Sequence, residues 1–494
     1  MNYKLTKSKV LTSLLWKMLE RGGTQGIQFI VMIVLARLLL PEEFGLIVLV
    51  TIFITTAGVF VHGGFTTALI QKKNADEIDY SSIFYLNLFV ASMLYILIFF
   101  ISPFISMFFK EPQLIPVLKV LSITLFFGAI NSIQNALISR NMQFKKLFFS
   151  SLWAVVISGT IGITLAYANF GIWALVFQSL TNQLLVTVIL WFTVSWRPQL
   201  LFSIKRIIEL FSFSWKLLIS GLVDTLYNNL QNILVGKLFS PTMLGFYNRG
   251  DQLPKFLVTN IDGSIQTVMF PTLSSYQDDK RRMKEIVRRS IVTSSFIIFP
   301  MMVGLAIIAE PLVKVLFTEK WLPVVPFVQI FCASYALWPI HTVNLQAINA
   351  LGRSDIFLKL EIIKSIIGLS ILGISLQFGI YMLALGVFII GFISTFINAY
   401  PNMTLLNYSI WEQLKDLIPS LLLSLIMGIV MFPIQWFGMS AIVTIIIQIS
   451  IGIVLYIGLA KLFKLECFMY ILLTMKDLLN HKKKTQILLK NEVS

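Results

Sequence analysis

The chain is poor in charge. Asp, Glu, Lys and Arg make up 13% of its 494 residues, against about a quarter in a soluble domain. A soluble globular fold of this length is therefore excluded. Cysteine is scarce too. Cys332 lies in an apolar run and Cys467 in a basic region, with no pairing or ligand spacing between them, so neither a disulfide nor a thiolate metal site is expected. The three histidines, His62, His341 and His481, are scattered and form no ligand set, and no metal or cofactor is expected. Long loops are missing as well. The hydrophilic stretches between apolar runs stay under about 20 residues, which leaves no room for a soluble catalytic domain.

What is present is apolar. Hydrophobic residues reach 57%, mean hydropathy is +0.84, and runs long enough for a bilayer core, about 20 residues, recur along the whole chain. Strands of a transmembrane barrel would alternate over about 10 residues, and these runs do not. The first run passes through Glu20 and Arg21 without a small-residue cleavage site, so it reads as a retained helix. The pattern predicts an all-α polytopic membrane protein with about fourteen spans, their boundaries uncertain by about 2–4 residues.

The net charge of +16 points to orientation, not to nucleic acid, because the basic residues sit in short loops. With the N-terminus in the cytoplasm, that side holds Lys72, Arg140, Lys145, Lys146 and the block 280–289 (KRRMKEIVRR), while the outer side receives few cations. Both termini are predicted cytoplasmic. The tail HKKKTQILLK is expected to be a solvated stop-transfer tail or a contact for anionic lipid heads.

A weak internal repeat divides the spans. ARLLLPEEFG at 36–45 matches GKLFSPTMLG at 236–245, Trp16-Lys17 matches Trp215-Lys216, and PFISMFFKEPQL at 103–114 resembles PLVKVLFTEKWL at 311–322. Asn135-Ala136-Leu137 echoes Asn349-Ala350-Leu351. The unit is six spans, an even number, so both copies keep one orientation. Parallel repeats are a transporter arrangement, with the site expected between the halves. The expected organisation is an N-lobe over 1–205, a C-lobe over 206–410, two further helices over 411–465 and a basic cytoplasmic tail over 466–494.

Two consecutive spans are not lipid-like. On the seventh, Asp224, Asn228 and Gln231 fall at i, i+4 and i+7, on one helix face. The eighth carries Arg249, Asp251, Lys255 and Asp262. A charge at the centre of a lipid-facing helix costs about 2.5–3.5 kcal/mol, so four are expected to face water, a ligand or one another.

The P-x-x-[FL]-G element after the first helix of each lobe, and the run LGFYNRGDQLP at 244–254, resemble the polysaccharide-transporter branch of the MOP superfamily. These are the Wzx-type flippases, those of the WzxC kind included. The resemblance implies two helical bundles of the MATE type, alternating access, and an undecaprenyl-pyrophosphate-linked oligosaccharide as substrate. It implies export of exopolysaccharide, capsule, O-antigen or teichuronic-type polymer across the bacterial cytoplasmic membrane, with no covalent bond made or broken. Expected partners are the lipid-linked oligosaccharide, anionic membrane lipids, a polymerase and other polysaccharide-assembly proteins, with the chain itself a monomer.

On that reading a diphosphate needs cations, and Arg suits it best because its fork binds two oxygens. Arg249 is the first candidate, unless it pairs with Asp251 or Asp224. Lys255 either shares that face or pairs with Asp251 at i, i+4. Arg21 is a cavity cation or a snorkelling interfacial charge. Asn228, Gln231, Gln178 and Asn182 are candidates for sugar hydroxyls, or for helix–helix hydrogen bonds. Asp224, Asp251 and Asp262 are candidate ion-coupling carboxylates. A multidrug or small-solute antiporter of the same fold is the nearest rival reading. A membrane polysaccharide polymerase or ligase is the rival of another class, and it calls for a large outer loop that this chain lacks.

Overall fold

The computed structural model describes residues 7–473 apart from 63, 73 and 471. The basic tail expected beyond residue 473 lies outside the described residues. The described chain is built from helices: α1 (Lys7–Leu38), α2 (Pro41–His62), α3 (Phe65–Gln71), α4 (Glu77–Phe109), α5 (Leu114–Leu121), α6 (Thr124–Arg140), α7 (Phe144–Tyr167) and α8 (Ile172–Thr193). There follow α9 (Ile204–Leu238), α10 (Pro241–Ser274), α11 (Lys280–Phe317), α12 (Val325–Ala336), α13 (Trp338–Ala350), α14 (Ser354–Ser375), α15 (Ile380–Leu405), α16 (Ile410–Met431) and α17 (Ala441–Leu462).

Ten segments among the described residues are long and apolar enough to cross a membrane. α1, α9, α10 and α14 are as long, but they carry the ionisable and amide side chains that lower their hydropathy. Large apolar side chains stand on the outside, Phe104, Met107 and Phe192 among them, each more than two-thirds exposed. A water-facing protein does not expose such a surface, whereas lipid solvates it. The chain is an all-α, multi-pass membrane protein.

Helix ends are set by local chemistry. Pro41 and Pro241 open α2 and α10, where a missing N–H costs nothing and the fixed φ suits the first turn. Asp76 caps α4 in a reciprocal box with Asp79, and Ser409 caps α16 in one with Glu412.

The chain forms two compact units, residues 1–248 and 249–494. In the first, a core of Phe65, Leu69, Ile83, Ile133, Leu190 and Leu210 joins α3, α4, α6, α8 and α9. Asn131 Nδ2 donates to Thr187 Oγ1 at 2.9 Å and Asn87 Nδ2 to Ser132 Oγ at 2.8 Å, satisfying amides inside the bundle. α9, the first helix of the expected C-lobe, packs against α2, α3 and α4 within this unit.

The two copies of the repeated Pro-Gly element meet in the first unit. A Cβ placed on Gly45 would stand 1.7 Å from the Pro241 carbonyl oxygen, and one on Gly245 2.2 Å from that of Pro41. Each glycine thus admits the first turn of the other helix.

In the second unit Leu273, Met283, Val287, Ile291 and Val343 form the corresponding core with Tyr408 and Leu417. Asn344 and Gln413 exchange amide hydrogen bonds at 2.9 and 3.2 Å, and Asn402 Nδ2 donates to Asn344 Oδ1 at 2.7 Å. Pro300, inside α11, cannot donate to the carbonyl of Phe296 four residues earlier. Tyr456 of α17 donates to that carbonyl at 2.8 Å, so the proline is accommodated by a neighbouring helix. At the start of α11, Arg288 Nε donates to both oxygens of Asp416 at 2.9 and 3.0 Å, and Lys284 reaches Glu412 at 3.2 Å.

Candidate functional site

The charged stretch of α10 belongs to the second unit from Arg249 onward. Its rotation about the helix axis is fixed at Gly250, where a Cβ would lie 2.4 Å from the Cβ of Phe327. Glycine alone lets α10 approach α12 this closely. The flanking Arg249 and Asp251 are oriented as a consequence. Asp251 Oδ1 accepts from the Tyr335 hydroxyl at 2.7 Å, and Lys255 Nζ stands 3.6 Å from Asp251 Oδ2. Tyr335 is held in turn by stacking on Trp338, with 4.8 Å between ring centroids. The guanidinium of Arg249 donates to the neutral amide oxygen of Gln252.

Farther along α10, Asp262 is 4% exposed. Gln266 Nε2 donates to its Oδ2 at 2.8 Å, and the Thr342 hydroxyl is a second hydrogen-bond partner of the carboxylate.

On α9, in the first unit, the expected polar face is formed. Asn228 Nδ2 donates to Asp224 Oδ1 at 2.9 Å, both side chains being exposed, and Tyr247 donates to Gln231 Oε1 at 3.1 Å. On α8, Asn182 Nδ2 donates to Ser158 Oγ of α7 at 3.2 Å. Gln178 packs on Gly162, whose added Cβ would come within 2.8 Å of its Cβ. Lys17 pairs with Glu20 at 2.7 Å. The side chain of Arg21 lies outside the described residues.

On α10 the structure pairs Asp251 with Lys255, while Arg249, two residues before Asp251, turns to Gln252 instead. Asp224, Asn228 and Gln231 form a separate group on α9, and Gln178 and Asn182 a third at the α7–α8 contact. Sequence reasoning gave no role to His62, Thr66 and Thr67, which the structure gathers around one cavity of the first unit. No motif marks them, because the rest of that cavity comes from distant helices.

Residues 34–326 match the family model described as polysaccharide biosynthesis protein. The chain belongs to that family. Among its curated relatives is the lipopolysaccharide biosynthesis protein WzxC of Escherichia coli, 22% identical over 86% of this chain and 89% of that protein. The teichuronic acid biosynthesis protein TuaB of Bacillus subtilis is 24% identical over 80% and 83%. The succinoglycan biosynthesis transport protein ExoT of Rhizobium meliloti is 22% identical over 71% of each. The fold is that of the lipid II flippase MurJ in its inward closed conformation, with a TM-score of 0.74 over 91% of this chain and 98% of that one at 16% identity. An inward-facing multidrug transporter of the MATE family, of the MOP superfamily, aligns with a TM-score of 0.58 over 76% and 94% at 14% identity. At these identities the two neighbours show the fold that the chain shares with lipid and drug transporters.

Proposed function

We propose that the protein moves an undecaprenyl-pyrophosphate-linked oligosaccharide from the cytoplasmic to the outer face of the bacterial cytoplasmic membrane by alternating access. The observation that carries this reading is the union of a polysaccharide-biosynthesis sequence with a lipid-flippase fold. The α10 charges supply the chemistry such a cargo demands. In this reading Arg249 contacts the diphosphate, with Lys255 contributing positive potential beside it. Asp251 orients that group through Tyr335. Asp224 with Asn228, and the buried Asp262, are the carboxylates through which a proton or sodium ion is coupled to the cycle. Gln231, Gln178 and Asn182 line the sugar path only where they exchange their present partners, and Arg21 adds a second cation. Both termini are on the cytoplasmic side, fourteen helical segments cross the bilayer, and no bond is made or broken.

The test is deletion of the gene in the source strain, followed by complementation. The deletion is expected to stop surface polymer and to accumulate lipid-linked repeat units, and wild type to restore both. Arg249→Ala is expected to lower export at least about 10-fold, the equivalent of about 1.4 kcal/mol of lost transition-state binding, at unchanged membrane level. Full export by Arg249→Ala removes that residue from the mechanism, and normal polymer in the deletion strain removes the reading.

A further inference from the structure

The first unit contains a cavity of about 780 Å³ lined from α2, α3, α6, α8 and α9. That volume lies in the range of small-molecule sites, about 300–1,000 Å³. Its lining differs from the rest of this basic chain, because it holds no Lys, Arg, Asp or Glu among the described residues. In their place it presents hydroxyls and amides, among them Thr66, Thr67, Thr124, Asn135 and Gln183, beside the imidazole of His62. Two of its polar atoms are buried without hydrogen-bond partners among the described residues: Thr66 Oγ1 and Asn131 Oδ1. Asn131 is only 4% exposed, and its amide nitrogen is already committed to Thr187 at 2.9 Å. Such orphaned acceptors are costly in a finished core, and they suit a ligand that brings its own donors.

The backbone around the cavity is also cut back. Gly64, at φ +77°, turns the chain between α2 and α3 where the Ser214 carbonyl of α9 would meet a Cβ at 2.7 Å. Gly128 leaves room for the His62 ring, whose atoms would stand 3.3 Å from a Cβ there. Gly58 is different: a Cβ on it meets nothing within 4 Å, although it lines the cavity from within α2. Packing does not require that glycine, and a helix interior disfavours it.

We propose that this cavity binds an uncharged saccharide portion of the cargo. A phosphate finds no cation here and a cation finds no carboxylate, whereas sugar hydroxyls donate to Thr66 Oγ1 and Asn131 Oδ1 and pair with Gln183. Val59 and Leu217 meet the C–H face of a ring. Arg140, at the end of α6, donates to the Leu69 carbonyl at 3.1 Å and so ties α6 to α3 at one end of the cavity's wall. The inference rests on the export reading above and adds to it a second, charge-free contact point.

The test uses full-length protein in nanodiscs and two probes: radiolabelled lipid-linked saccharide extracted from the deletion strain, and undecaprenyl pyrophosphate without sugar. Gly58→Leu fills the open space, and Thr66→Val with Gln183→Leu removes hydrogen-bonding groups without leaving new orphans. Both variants are expected to keep the wild-type melting temperature and affinity for the sugar-free lipid, while losing at least about 10-fold for the glycosylated one, a change of about 1.4 kcal/mol. Equal loss for both lipids, or unchanged binding of the glycosylated lipid, overturns the pocket and leaves export standing. Wild type that binds neither lipid overturns the export reading and the pocket with it.

Discussion

Replacing Gly45 by alanine puts a methyl group 1.7 Å from the Pro241 carbonyl oxygen, where real Cβ contacts do not fall below 3.0 Å. The two helix ends must part by about 1.3 Å at that point. The obstacle is backbone in the first turn of α10, so no rotamer change relieves it. Overpacking of this kind costs about 1–3 kcal/mol. Alanine recovers up to about 1 kcal/mol as a better helix former than glycine, so from the middle of that range a net loss of about 1 kcal/mol remains. Gly245→Ala needs a smaller retreat, since its methyl stands 2.2 Å from the Pro41 carbonyl. One separation relieves both clashes. The double variant is therefore expected to be no less stable than Gly45→Ala alone, with a favourable coupling of at least about 0.5 kcal/mol. Gly391→Ala, with nothing within 4 Å of the added methyl, is the control and is expected to be neutral or stabilising. Thermal unfolding of detergent-purified protein, followed by tryptophan fluorescence, measures all four. Wild-type stability of Gly45→Ala, or strictly additive losses in the double variant, refutes the reciprocal crossing.

Three other outcomes follow from named contacts. Asn344→Leu strands the amide of Gln413, while Asn402 keeps the backbone carbonyl of residue 344, and is expected to cost about 1–3 kcal/mol; adding Gln413→Leu returns part of it, because apolar replacement of both partners is nearly neutral. Tyr456→Phe leaves the Phe296 carbonyl without a donor beside Pro300 and is expected to cost about 1–3 kcal/mol in the same unfolding assay. The Asp79 backbone N–H, then Arg206, hold the Asp76 carboxyl below the ordinary carboxylate range. Its stabilisation is present above the unfolded pKa and is lost as pH falls through the depressed folded value. Asp76→Ala is accordingly expected to cost about 1 kcal/mol at neutral pH, and the difference from wild type to close as pH drops below about 4.

Hydropathy made the helical membrane fold legible, because lipid permits only internally satisfied backbone and the chain meets that with long apolar runs. α9 and α10 were equally legible as exceptions, since their acids, amides and cations interrupt the apolar pattern. The Asp224–Asn228 bond and the Lys255–Asp251 approach were readable as well, since i, i+4 neighbours meet in any helix. Contacts between helices were not readable. The repeat disclosed two copies of the Pro-Gly element but carried no information about where they lie, and their mutual crossing is a property of tertiary packing. Tyr335 on Asp251 and Tyr456 on the Phe296 carbonyl each join residues more than 80 positions apart. The cavity around Gly58 shows the limit most plainly. Each of its residues is ordinary in its own helix. A threonine bonds back to its helix, a glycine in a membrane helix passes without notice, and an asparagine meets a neighbour. Only their convergence, with two acceptors left unserved and one glycine facing open space, gives them a meaning that no single segment contains.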